Sequence, residues 1–116
     1  MLSKKHKITK KKDFENIFRQ GASFKEGNLI LKTNHNSFGI NRFALIVSQK
    51  VSKKATVRNR IRRQLKELIR PQARNMKKGM DCLFIVLPGL EKENFQGLAK
   101  ILNNLFKKAG IINEIL

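Results

Sequence analysis

The chain has 116 residues, with 26 Lys or Arg against 8 Asp or Glu, a formal net charge of +18 and 41% hydrophobic residues. That is one domain's length with enough apolar side chains for a small core, which excludes a disordered basic tail; the folded surface must carry the charge, so a polyanionic partner is expected, nucleic acid first and an anionic membrane surface second. No apolar run approaches the roughly 18 residues of a membrane span, the Lys-rich start lacks a signal peptide's apolar centre, and the lone Cys82 excludes an internal disulfide and fits a reducing cytosol.

In chain order, residues 1–12 hold six lysines and little that could pack, so residues 1–9 are expected to be a flexible basic arm that orders on phosphates. Phe14, Ile17 and Phe18 repeat at helical spacing, predicting a helix over about 11–20 with Gly21 as its stop. Residues 23–25 can add a short strand, 28–33 read as a strand, 35–41 as a polar turn, and 42–48 (RFALIVS) as a further strand. The basic segment 48–54 follows, with Ser52 near the start of a helix over 55–70. Pro71 is expected to end that helix, since it lacks an amide and restricts Arg70, and to open a short turn toward Gly79.

Residues 81–87 (DCLFIVL) form a continuous apolar run whose length and branching predict a strand buried on both faces. Residues 91–109 return to helical spacing, with Phe95, Leu98, Leu102, Leu105 and Phe106 as a core stripe and Gly110 as terminator. Glu91 and Glu93 are expected in the first turn of that helix, where acids favour the dipole. The reading is a single domain over 1–116, an α/β (α+β) two-layer sandwich in the order α-β-β-β-α-β-α with a mixed sheet of about four strands. Its last strand follows a helical crossover and is expected to lie parallel to the strand before that helix.

Nothing here suggests bond chemistry by the chain itself. No pair of acids has the spacing and setting of an acid–base dyad, and there is no Gly-rich phosphate loop or nucleophile elbow. Cys82 lies in the apolar run and reads as a core residue. His6, His35 and Cys82 are not at metal-ligand spacing.

The positive signal is the helix over 55–70. At about 100° per residue, Val57, Ile61, Leu65, Leu68 and Ile69 fall on one side, while Asn59, Arg62, Arg63, Lys66 and Arg70 fall on the other. Arg58 and Arg60 flank the two edges of the apolar stripe. Six basic residues thus stand among thirteen that contain one acid, Glu67, and guanidinium forks suit phosphates better than ammonium groups do. Asn59 can donate to and accept from a base edge or sugar hydroxyl, or else hold the loop before the helix. Phe14 and Phe18 read either as core or as rings on which unpaired bases stack beside a basic groove.

With those residues in place, KATVRNRIRRQLKE (54–67) resembles the signature helix of the bacterial ribonuclease P protein subunit family, in which Arg-Asn-Arg is followed by basic residues at fixed helical positions. KKKDFENIF (10–18) is similar to the family's first helix, RFALIVSQKVSKK (42–54) to the strand and loop leading into the signature, and GMDCLFIVLPG (79–89) to its buried final strand. The resemblance implies a cytoplasmic subunit whose catalyst is a large RNA, removing the 5′ leader of precursor tRNA by Mg²⁺-dependent hydrolysis, one protein to one RNA. The Mg²⁺ would be bound mainly by the RNA and the substrate. The resemblance points to Arg58, Asn59, Arg60, Arg62, Arg63 and Lys66 as contacts to the catalytic RNA, and to Phe14, Phe18, Lys32 and Arg58 as the cleft for the single-stranded leader. It also implies a left-handed β-α-β crossover, where general rules give the right-handed form in about 98% of cases.

Three positions depart from the family pattern, and so does the loop over 51–54, which lacks the glycine many members have. Lys32 stands where many members carry a tyrosine pointing into the cleft, Gln49 where lysine or alanine is usual, and Lys66 where arginine is frequent. The alternative from another class is a small basic ribosomal or general RNA-binding protein without a processing role. A DNA-binding module lacks the helix pair it would need, and a membrane-surface helix lacks bulky aromatic anchors.

Overall fold

The apolar run near residue 83 becomes the centre of the sheet. A computed structural model describes residues 4–112, with α1 (Lys11–Gln20), β1 (Ala22–Glu26), β2 (Leu29–His35), β3 (Arg42–Ile46), α2 (Ala55–Gln72), β4 (Met80–Val86) and α3 (Phe95–Ala109). Strand β4 lies between β2, to which it is antiparallel, and β3, to which it is parallel, giving the order β1-β2-β4-β3. The parallel pair is joined by α2, as expected of a crossover too long for a hairpin.

Alternation along β4 builds two unequal cores. Met80, Cys82, Phe84 and Val86 face α2 and α3 and join a cluster with Ile61, Leu65, Ile69, Leu98, Leu102, Leu105 and Phe106. Phe84 and Phe106 meet edge to face at 6.1 Å between ring centroids. Each large apolar side chain buried there contributes roughly 1.5–3 kcal/mol. On the opposite face Leu83 meets the fully buried Ile17 of α1, together with Ile8. Helix α1 covers only part of that second face.

Two contacts fix α1 on the sheet. The Arg42 guanidinium donates through Nε and Nη2 to the Asp81 carboxylate, at 2.8 and 2.7 Å, and through Nη1 to Asp13 of α1 at 3.2 Å. At the other end of the helix, a Cβ placed on Gly21 would lie 2.5 Å from the Ile17 carbonyl oxygen and 2.7 Å from that of Thr33 on β2. Gly21 has φ −75°, so the glycine is needed for this close approach and not for a left-handed turn.

Several expectations are corrected. The arm over residues 1–9 does not hang free over its described part. Ile8 is buried, its N–H donates to the Phe43 carbonyl at 3.0 Å, and His6 Nδ1 lies 2.7 Å from the Asn41 carbonyl oxygen. One isoleucine among the lysines is enough to seat the segment against the outer edge of β3; residues 1–3 lie outside the described residues. Pro71 does not end α2, which runs to Gln72 and then tightens into a 3-10 turn at Ala73–Asn75. Pro71 is exposed and sits in the last turn, so water can serve the carbonyl left without a donor.

The acids at 91 and 93 do not open α3. Asn94 caps that helix, its side chain accepting from the Gly97 N–H at 2.7 Å, while Glu91 Oε1 accepts from the Gly89 N–H at 2.6 Å in the preceding turn. Starting at residue 95 leaves Phe95 40% exposed, against its place in the expected core stripe.

Gly21→Ala should destabilise the protein by about 1–3 kcal/mol, the usual cost of overpacking against backbone. Urea unfolding read by circular dichroism measures this, and a cost under about 0.5 kcal/mol would mean that α1 can shift away from β2 freely.

Candidate nucleic-acid interface

Because Asp13 and Ile17 tie α1 to the sheet, the helix turns Phe14 and Phe18 to one side. Phe14 is half-buried against the Ile8–Ile17–Leu83 cluster and borders a cleft of about 300 Å³ that Lys7, Leu45, Arg62 and Lys66 also line. Phe18 is 51% exposed, and the Lys32 Nζ stands 5.6 Å from its ring centroid. That spacing is a cation–π contact. Lys32 pairs in register with Ser23 and Leu83, so it stands on the same sheet face as α1.

Beyond Lys32 on that face the strands carry Ile30, Ile85 and Ile46 side by side. All three are only half-buried, with Ile46 and Ile85 packed against the Ile8–Ile17–Leu83 cluster. Strand β4 is buried on both faces, as the run over 81–87 predicts, except at Ile85; the half-buried row that Ile85 forms with Ile30 and Ile46 was not legible in the sequence. The only hint was that ten residues of α1 span too little to cover two rows of a four-stranded sheet.

Helix α2 presents its basic residues in three groups. Arg58 Nη1 donates to the Ser52 carbonyl at 2.8 Å. Arg62 donates through Nη1 to Asn59 Oδ1 at 3.0 Å and through Nη2 to the Val47 carbonyl at 3.2 Å. Asn59 therefore orients Arg62 and keeps its own amide N–H groups for a ligand. Arg60 points the other way, with Nη2 donating to the Glu91 carbonyl at 2.8 Å and a buried Nε that has no partner among the described residues. Arg63 is exposed, with no side-chain hydrogen bond or ion pair among the described residues.

The structure thus brings together Phe14, Arg62 and Lys66 in one cleft, and Phe18 with Lys32. Arg58 does not line that cleft, and Arg60 belongs to the junction with the 3-10 turn at Leu90–Lys92. Ser52 does not cap α2; its hydroxyl accepts from the Lys54 N–H at 3.2 Å, shaping the loop before it.

Cys82 is fully buried, and burial pushes its thiol up to about 12, with the neighbouring Asp81 charge adding to the effect. Among the described residues no group of three or more His, Cys, Asp or Glu could hold a metal ion. No helix among them is long and apolar enough to cross a membrane.

The family model described as Ribonuclease P matches residues 2–110. A ribonuclease P protein component of Clostridium botulinum (strain Langeland) is 40% identical over 111 residues, 95% of this chain and 99% of its own length. That of Synechocystis is 39% identical over 103 residues, 88% of this chain and 83% of its own. The RNase P protein of Thermotoga maritima superposes with a TM-score of 0.78 at 26% identity, covering 88% of this chain and 96% of that one. The Staphylococcus aureus protein has the same fold, with a TM-score of 0.86 at 23% identity over 93% and 98% of the two chains.

Two measurements test this assignment of roles. Arg60→Ala should cost about 1–3 kcal/mol in denaturant unfolding, since it removes a charged hydrogen bond between α2 and the following turn. Arg63→Ala should stay within about 0.5 kcal/mol; equal losses would refute the division. For Cys82, the folded state holds the thiol protonated while the unfolded chain ionises near 9.0. Its contribution to stability is therefore complete below that pH and lost as pH rises toward about 12. Cys82→Ala should flatten the alkaline side of a stability–pH profile, and an unchanged slope would count against this.

Proposed function

The chain belongs to the ribonuclease P protein family, the protein component of the endoribonuclease that processes tRNA, and from that premise we propose that it works through two separate surfaces. The outer side of α2, with Asn59, Arg62, Arg63 and Lys66, docks on the catalytic RNA, and Arg58 adds to it from the loop side. The face bearing Phe18, Lys32 and the half-buried isoleucine row takes the single-stranded 5′ leader of precursor tRNA. Phe14 and the cleft shared with Arg62 and Lys66 join the two.

The observation that carries this reading is the half-exposed Phe18 ring, with the Lys32 ammonium 5.6 Å from its centroid, on the sheet face that bears the half-buried isoleucine row. A base can stack on the free face of the ring while Lys32 neutralises the neighbouring phosphate. Neither contact reads sequence, which is what processing many different leaders requires. Lys32 thereby replaces stacking by charge at a position where an aromatic ring is frequent in the family.

In this reading hydrolysis is carried out by the RNA, and Mg²⁺ is held mainly by the RNA and the substrate. The protein contributes by binding and orienting. Arg60 supports the surface indirectly, by fixing how α2 sits against the turn at Leu90–Lys92. The reading takes one protein to one RNA.

The test is cleavage of 5′-labelled precursor tRNA by a bacterial ribonuclease P RNA at low Mg²⁺, with and without the protein. Cleavage at the mature 5′ end should depend on both. Tight RNA binding with no effect on the rate would instead support a ribosomal or general RNA-binding role. In the reconstituted holoenzyme, Phe18→Ala should weaken precursor binding roughly 5- to 100-fold and leave mature tRNA unaffected; equal weakening of both would remove Phe18 from the leader site.

A further inference from the structure

On the other side of α1 from Phe18 lies a second exposed ring. Phe38, in the loop between β2 and β3, is 60% exposed, more than any other large hydrophobic residue among those described. It is nonetheless held in place. The Arg42 guanidinium carbon lies 4.6 Å from its ring centroid, and Arg42 is itself immobilised by Asp13 and Asp81. The loop is fastened beneath it: Asn36 Oδ1 accepts from the Phe38 N–H at 3.0 Å, while Asn36 Nδ2 donates to the Ile40 carbonyl and to Asp81. The Asn36 N–H donates to the Gly79 carbonyl at 2.8 Å.

Phe38 and Arg42 form part of the wall of a cavity of about 450 Å³, which Asn16, Asn34, His35 and Ser37 also line. That volume is within the range of small-ligand clefts. None of those four polar side chains makes a hydrogen bond among the described residues. Asp13 and Asp81 outweigh the one charge of Arg42 inside the cavity, so it disfavours a phosphate and suits an uncharged, flat, hydrogen-bonding group. Cationic charge stands just outside, where Lys78 lines the neighbouring depression with Gly39 and Ile40.

We propose that the cavity beneath Phe38 is a second RNA subsite, receiving one unpaired nucleobase that stacks on the ring and is hydrogen-bonded along its edge by Asn16 and Asn34. The nucleotide's phosphate is left outside, near Lys78. An amide side chain offers both a donor and an acceptor to a base edge, and a ring already fixed by Arg42 loses little freedom when a base stacks on it. The subsite rests on the two-surface reading above and adds a third point of contact. Its base comes from the leader or from an unpaired position of the catalytic RNA; the chemistry is the same for both.

Ultraviolet cross-linking of the full chain assembled with the catalytic RNA, with and without precursor tRNA, tests this and separates the two sources. A cross-link at Phe38 in the binary complex assigns the base to the catalytic RNA. One that appears only on adding precursor, and vanishes with mature tRNA, assigns it to the leader. Alongside, Phe38→Trp should bind that RNA as the wild type does, while Phe38→Leu, equally apolar but without a ring, should lose roughly 5- to 100-fold in affinity. Cross-links at Phe18 with none at Phe38, or full affinity in Phe38→Leu, would overturn the subsite and leave the two-surface reading intact. Failure of the wild-type protein to stimulate cleavage would instead defeat the latter.

Discussion

The position of α1, and of the rings it carries, depends first on one guanidinium. Arg42 donates from three nitrogens to carboxylates on two different elements, Asp81 on the central strand and Asp13 on α1. The hydrogen bonds to Asp81 raise its pKa above the ordinary arginine value, and burial works in the opposite direction. A buried charge that lost its partners would be strongly destabilising. The two acids are therefore as constrained as the arginine, and α1 is held at one angle across the sheet. That angle turns Phe14 and Phe18 toward the isoleucine row and Asn16 toward Phe38.

The charge of +18 has a corresponding organisation on α2. Arg58, Arg60 and Arg62 each spend a donor on a backbone carbonyl of a neighbouring segment. Guanidinium groups still have donors left after such a bond, so Arg58 and Arg62 are held in one orientation and would lose less side-chain freedom on meeting a phosphate. Among the described residues Arg63 and Arg70 have no such support and stand as exposed surface charge. The difference between these classes lies in their surroundings, since all five are the same residue on the same helix.

Much of the fold was legible because its signals are local. Helix α1, the basic helix and the apolar strand have strong periodicity, and the parallel pairing of β3 with β4 follows from the helix between them. The misreadings came where one residue was given the meaning it has in isolation. Pro71 disfavours a helix interior, but α2 was two residues from its end. Glu91 favours a helix dipole, but Asn94 was the better cap and Glu91 serves Gly89. Lysines around position 8 suggested a free arm, but Ile8 had the open edge of β3 to reach.

The sequence by itself determined the class of partner, the order of elements, the face of α2 that is cationic and the family, because composition, periodicity and the Arg-Asn-Arg motif are properties of the chain alone. It could not determine which rings stay exposed, nor which arginines are tied down. Phe95 and Phe38 are exposed, and Phe14 and Phe106 sheltered, through where the ends of neighbouring elements fall. Arg60 is parted from Arg62 by the turn it meets. Those outcomes depend on distances between segments far apart in the chain, and only the closed tertiary structure sets those distances.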